Sequence, residues 1–248
     1  MRMKKKRHGD ERLMLLSSFI ITDPSDVGKK CGELFSSDAQ LRVEIGCGKG
    51  DFICAKSKAE PGYNYLAIEK MSDVIVVAAE KYAKDRNIGR LAPNGGFERP
   101  DGKIYEYGSV IDDLTKEEMG NVRFVVGDAK VALESFDDSS VESIYINFCD
   151  PWSKKGYMKR RLTYIDFLKL YSRILKPGGK IYFKTDNYDL FVFTEEQIAG
   201  SVFEIEFKTN DLHASDMNES NIMTEYEKNF SSQGIKINMM IAKNVKKA

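Results

Sequence analysis

With 248 residues and a mass of 28.2 kDa, the chain is long enough to bury a sizeable core without disulfide or metal staples. Its 38 Lys and Arg balance 38 Asp and Glu, and 42% apolar against 31% charged residues excludes a disordered chain. No apolar run approaches the roughly 18 residues of a membrane span, and zero net charge argues against a nucleic-acid partner only if the charges are evenly spread.

Residues 1–40 read as a basic N-terminal extension to a domain spanning 41–248. Arg2, Lys4, Lys5, Lys6 and Arg7 ahead of the apolar stretch 13–21 have the outline of a signal peptide. Asp10 and Glu11 interrupt it and no small-residue cleavage site follows, so the expectation is a cytoplasmic protein. Cys31, Cys47, Cys54 and Cys149 form no C-x-x-C pair, and with only His8 and His213 no zinc cluster can be assembled by spacing. They read as reduced thiols, with no metal.

From residue 41 short β-rich runs alternate with helical stretches, which predicts a mostly parallel sheet covered by helices. Strands are expected over 41–45, 63–68, 122–126, 143–148, 180–185, 202–207 and 236–241, with helices over 72–84 and 165–175. In the second helix Phe167, Leu168, Tyr171, Ile174 and Leu175 share one face. Lys176-Pro177-Gly178-Gly179 then stops the helix and turns into the next strand.

The first strand runs into Gly46-Cys47-Gly48-Lys49-Gly50-Asp51, a turn whose glycines let a ligand approach the backbone. The G-x-G-x-G spacing differs from both the dinucleotide fingerprint and the P-loop. Glu69, nineteen residues past Gly50 at the end of the second strand, is placed to accept from two ribose hydroxyls. Asp128 after the next strand could accept from an adenine amino group; its bland alternative is a helix N-cap. Glu44 is a carboxylate inside a strand that should be buried, so it needs a partner: a cofactor ammonium group, or amides of the glycine loop.

Two segments break the rhythm. Residues 87–120 hold Asn94-Gly95-Gly96, Asp101-Gly102 and two prolines, and read as a loop or small hairpin carrying a net −4 over 98–118. It belongs at the amino edge of the sheet. The loop 149–161 belongs at the carboxyl edge, where ligands bind in such sheets. It carries Asp150, the lone Trp152, and five bases in the eight residues 154–161.

Here the sequence resembles a known family. Asp150-Pro151-Trp152-Ser153-Lys154-Lys155-Gly156-Tyr157-Met158-Lys159-Arg160-Arg161, with Val43 to Gly50 before it and Phe183 to Asn187 and Met223 to Glu227 after it, is similar to the bacterial tRNA (guanine-N7)-methyltransferases. The resemblance covers about 41–241 apart from the 87–120 insertion. It implies an α/β class I methyltransferase fold, a single doubly wound, seven-stranded, mostly parallel Rossmann-like sheet. It implies S-adenosylmethionine as donor and a guanine in the tRNA variable loop as acceptor, and leaves room for a homodimer. The family's cofactor contacts fall on Glu44, Gly46, Gly48, Glu69, Asp128 and Asp150; its tRNA contacts fall on Lys154, Asp186, Thr224, Glu225, Tyr226 and Glu227. Lys155, Lys159, Arg160 and Arg161 are expected on the tRNA backbone. Ser153 replaces the family's usual proline and Gly156-Tyr157 its usual Arg-His pair, which loosens the loop and removes phosphate or base contacts.

Guanine N7 carries a lone pair and no proton, so its methylation needs positioning and electrostatics rather than a general base. Asp150 is the expected catalytic residue, orienting base and cofactor. Rivals are a methyltransferase for another RNA or a small molecule, and a silent RNA-binding paralogue; a dinucleotide oxidoreductase is disfavoured by the glycine spacing and by the lack of a histidine near the motifs.

Overall fold

The computed structural model describes residues 6–93 and 95–246; Arg2, Lys4, Lys5, Asn94 and Lys247 lie outside the described residues. Its elements begin α1 (Gly9–Leu15), β1 (Ile20–Ile21), α2 (Val27–Leu34), β2 (Leu41–Ile45), α3 (Asp51–Ala59), β3 (Asn64–Glu69) and α4 (Ser72–Asp85). There follow β4 (Arg90–Leu91), β5 (Phe97–Glu98), β6 (Ile104–Tyr105), α5 (Lys116–Met119), β7 (Val122–Val126), α6 (Ala129–Glu134) and β8 (Val141–Asn147). The chain closes with α7 (Ile165–Ile174), β9 (Leu175–Thr185), α8 (Tyr188–Ala199), β10 (Phe203–Thr209), α9 (Glu225–Ser232) and β11 (Asn238–Asn244). Among the described residues no helix is long and apolar enough to cross a membrane.

Two compact units emerge. One comprises the described residues up to Ala39 with Cys47–Ser135; the other comprises Gln40–Gly46 with the described residues from Phe136 onward. In the first, β3 and β7 pair in parallel, Tyr65 opposite Val122 and Glu69 opposite Val126. Both strands are almost wholly buried, as expected where helices cover both faces of a parallel sheet. Helix α4 supplies one cover because Val74, Ile75, Ala78, Ala79 and Tyr82 recur at helical spacing and are all buried. Helix α1 docks on it through a bidentate pair, Arg12 Nε and Nη2 donating to Glu80 Oε1 and Oε2 at 2.7 and 2.6 Å.

The apolar stretch after α1 becomes a strand. Ile20 and Ile21 pair in parallel with Phe124 and Val125, and Leu15, Leu16 and Phe19 enter the core. The main pattern therefore has eight strands, three in this unit and five in the other, where seven were expected. A two-residue strand is too short to show alternation, so periodicity misses it. The acidic segment is also more ordered than a loop or hairpin: β4, β5 and β6 form a three-stranded antiparallel sheet. It lies between the end of α4 and the start of β7, hence at the amino edge of this unit's strands.

In the second unit β2, β8 and β9 are parallel, and β11 and β10 continue antiparallel. Leu175 faces Val141 and Lys180 faces Ser143, so Lys176-Pro177-Gly178-Gly179 bulges out opposite Glu142 alone. Helix α7 buries Leu168, Tyr171 and Ile174, and α8 buries Leu190, Phe191, Thr194 and Ile198. The carboxyl ends of β2, β8 and β9 deliver Gly46, Phe148 and Asp186 to one edge, because parallel strands share a direction.

Candidate active site

In the first unit the glycine loop meets the end of β3. Gly48 N donates to Glu69 Oε2 at 3.1 Å and Met71 N donates to Glu69 Oε1 at 3.0 Å, so the carboxylate is held in one orientation by backbone amides. Gly48 has a φ of 55°, and a Cβ built on it would point into open space; the same is true of Gly46 (φ 76°), which closes the Gln40–Gly46 segment of the other unit. That is the form of a cradle that leaves room for a ligand against bare backbone. Asp128 caps α6 by accepting from Lys130 N at 3.0 Å and also pairs with Lys70 Nζ at 3.1 Å.

In the second unit Glu44 is 1% exposed, and Asn147 Nδ2 donates to its Oε1 at 3.0 Å. A side-chain amide on the neighbouring strand is thus one partner of this buried carboxylate. Beyond Asn147 the backbone turns sharply. Phe148 and Trp152 both adopt left-handed conformations, φ 54° and 42°, which cost bulky side chains roughly 1–3 kcal/mol each and persist only where surroundings enforce them. Between them Asp150 is exposed. Cys149 beside it is no nucleophile: burial pushes its thiol up to about 12, so it stays protonated at neutral pH.

A short 3-10 turn, Lys155–Arg160, follows. Lys154, Lys155, Lys159 and Arg160 are exposed, and the Arg160 guanidinium lies over the rings of Trp152 and Tyr157, at 5.1 and 4.5 Å. Exposed bases beside aromatic faces suit a nucleic-acid backbone. Among the described residues no group of three or more His, Cys, Asp and Glu could hold a metal ion, and the four cysteines are free thiols.

Comparison with known proteins decides the family. Residues 38–240 match a family described as "Putative methyltransferase". The tRNA (guanine-N(7)-)-methyltransferase of Bacillus cytotoxicus is 35% identical over 98% of this chain and 97% of its own length. That of Listeria innocua is 36% identical over 98% of both. The chain belongs to the tRNA (guanine-N7)-methyltransferase family. Solved methyltransferases share its fold at low identity: the 16S rRNA methyltransferase KamB (TM-score 0.56, 9% identity, 88% of this chain and 94% of that one) and an antibiotic-related methyltransferase (0.53, 15%, 87% and 92%). The class I methyltransferase fold is thus established.

Against that family pattern, three expected contacts need correction. Arg161 was expected on the tRNA backbone, yet it is 8% exposed. Its Nε donates to the Pro151 carbonyl at 2.8 Å and its Nη2 to the Trp152 carbonyl at 3.5 Å, with the guanidinium 4.2 Å over the Phe193 ring. It braces the strained turn from beneath. Glu227 was expected to touch tRNA, yet it is fully buried. Its carboxylate meets Lys184 Nζ at 2.6 Å, His213 Nε2 at 2.9 Å and Asn221 Nδ2 at 2.5 Å. Burial pushes its pKa up, but the Lys184 charge and these hydrogen bonds outweigh that and hold it below the usual glutamate range. Thr224 is also buried and caps α9 by accepting from Glu227 N at 3.0 Å.

Glu225 and Tyr226, in contrast, are exposed. Asp186 is half-buried, and the cap of α8 is Asn187, whose Oδ1 accepts from Leu190 N at 2.8 Å. The Asp186 carboxylate is therefore not spent on the helix. Sequence reasoning missed Lys184, His213, Asn221 and Phe148. Lys184 lies inside the Phe183 to Asn187 motif, but no local pattern signals a partner 43 residues away in α9. A histidine does stand against the Met223 to Glu227 motif, brought there by folding alone.

Proposed function

We propose that the chain methylates N7 of a guanine in the variable loop of tRNA, with S-adenosylmethionine as methyl donor. Family membership supports the reaction; the strained Phe148 to Trp152 turn, which holds Asp150 outward with lysines immediately behind it, carries the assignment of the site. The residues present fit the donor. The open backbone of Gly46 and Gly48 would leave space for it, Glu69 would accept from its ribose hydroxyls, Asp128 from its adenine amino group, and Glu44 would face its ammonium group. When bound, the donor supplies an electrophilic methyl on a sulfonium.

Asp150 accepts from the guanine N1 and N2 hydrogens and so aims N7. Because N7 bears no proton, Asp150 acts as an orienting and charge-matching carboxylate and takes none. As methyl transfer leaves the purine positive, its fixed negative charge follows the change. Lys154, Lys155, Lys159 and Arg160 hold the phosphates, and Asp186, Glu225 and Tyr226 complete the acceptor side.

The test is methyl-labelled S-adenosylmethionine with unmodified tRNA, followed by strand scission specific to N7-methylguanosine. Scission at one variable-loop guanine, and a loss of at least tenfold in kcat for Asp150→Asn, is the expected result. Label incorporated without scission would mean another acceptor, and wild-type kinetics in the Asp150→Asn enzyme would remove that residue from the site.

A further inference from the structure

We propose that Lys184 and Glu227 are a positioning pair which sets the tRNA-reading surface without touching tRNA. The inference rests on the proposed function, since it concerns how the acceptor side of that site is held. Lys184, one residue from the end of β9, is 3% exposed, and its side chain has three acceptors for its three protons. These are Glu227 Oε2 at 2.6 Å, Asn221 Oδ1 at 3.0 Å and the Ile222 carbonyl at 2.9 Å. The acceptors bracket residues 223–226, so one ammonium group ties both ends of the segment that displays Glu225 and Tyr226.

The same lysine also reaches the catalytic turn. Its backbone carbonyl accepts from Phe148 N at 2.9 Å, at the residue where the strained turn begins. The Phe148 ring stacks on Phe230 of α9 at 5.9 Å, and Phe230 stacks in turn beneath Tyr226 at 6.5 Å. Backbone, ion pair and ring column therefore fix α9 to the turn that carries Asp150, all within one unit. A buried ion pair adds little stability over an apolar pair of equal size, so its specificity lies in geometry: it accepts one register of α9 and penalises others.

A double-mutant cycle tests this on tRNA dissociation constants and on kinetics, using Lys184→Met, Glu227→Leu and the double variant. Each single variant strands a buried charge and melts early, whereas the double removes both charges and regains much of the lost melting temperature, short of wild type because Asn221, His213 and the Ile222 carbonyl lose these bonds. The expected result is that tRNA binding weakens about tenfold or more in both singles and in the double alike, because either loss abolishes the same restraint. KM for S-adenosylmethionine should stay within twofold. Should the double variant not fold, Glu227→Gln keeps the size of the side chain but takes the counter-charge from the buried Lys184 ammonium; it should melt early like the other singles, and tRNA binding, measured well below that melt, should weaken about tenfold.

The proposal is overturned if Lys184→Met leaves tRNA binding intact while Glu227 variants lose it, the pattern of a direct contact. It is equally overturned if the well-folded double variant, or Glu227→Gln, binds tRNA as wild type does. A wild-type protein that binds tRNA but forms no N7-methylguanosine would defeat the functional reading and leave the cycle measurable.

Discussion

Replacing Arg161 with methionine separates bracing from phosphate binding. The short bond to Pro151, 2.8 Å, is a charge-assisted hydrogen bond of about 1.5–3 kcal/mol, and the 3.5 Å contact to Trp152 adds little. The guanidinium over Phe193, partly desolvated, contributes about 0.5–2 kcal/mol more. The brace is thus worth roughly 2–5 kcal/mol, similar to the roughly 2–6 kcal/mol of strain held in the left-handed Phe148 and Trp152 together. Without it the turn relaxes and Asp150 swings off its target, while methionine preserves the apolar stem. A drop of about 10–100-fold in kcat is expected, corresponding to roughly 1.4–2.7 kcal/mol of lost positioning. Single-turnover methyl transfer gives the rate, and filter binding across a salt series gives the slope of log Kd against log salt. A buried guanidinium displaces no counterion, so the slope should not change. A slope reduced by about 0.7–0.9, the value of one phosphate contact, or an unaltered kcat, would refute the brace.

The exposed lysines should behave in the opposite way. Lys154→Ala, Lys155→Ala and Lys159→Ala together should weaken tRNA binding and lower the salt slope by roughly 2–3, with the melting temperature unmoved. Gly50→Ala should destabilise by about 2–4 kcal/mol, because a left-handed φ adds to overpacking. Its φ is 78°, and the new Cβ would fall 2.8 Å from that of Ala78. Gly48→Ala opens onto free space but keeps a left-handed φ of 55°, so calorimetry should find only the strain part of that loss, about 1–2 kcal/mol, and KM for S-adenosylmethionine should rise as well. Glu227 sets part of the acid limb of the stability curve. Its folded pKa is lowered, so its contribution is complete above the ordinary glutamate value of about 4.3 and disappears as pH falls through the lower folded value. Urea titrations of Glu227→Gln should therefore show a shallower loss of stability below about pH 4.3 than wild type.

The parallel strands were legible because each is a run of β-branched and aromatic residues between turn signals; 41–45 and 122–126 match the structure residue for residue. The glycine loop and Glu69 were legible because each stands at the carboxyl end of a recognisable strand, just before a helix. The rest depends on folding that sequence spacing does not encode. In a run such as Lys159-Arg160-Arg161 all three bases look alike, yet the chain leaves Lys159 exposed, lays Arg160 across two rings and turns Arg161 inward. Glu227 looks like part of a binding motif because it adjoins exposed residues, but a helix that exposes Glu225 and Tyr226 rotates the next position onto Lys184 and His213. Asp186 and Asn187 are both plausible caps, and backbone geometry chose the second.

The added strand β1 has a consequence for how the chain is made. Ile20 has its partner at Phe124, which a ribosome adding roughly 5–20 residues per second reaches about 5–20 s later. Throughout that interval the strand has no edge to join, although Leu15, Leu16, Phe19 and Ile20 are nearly all hidden in the finished core. These apolar residues thus wait for their strand partner until the whole acidic three-stranded excursion has been synthesised. Slow elongation between residues 21 and 124 lengthens the exposure of a sticky nascent segment, and the protein's yield becomes tied to the chaperones that cover it.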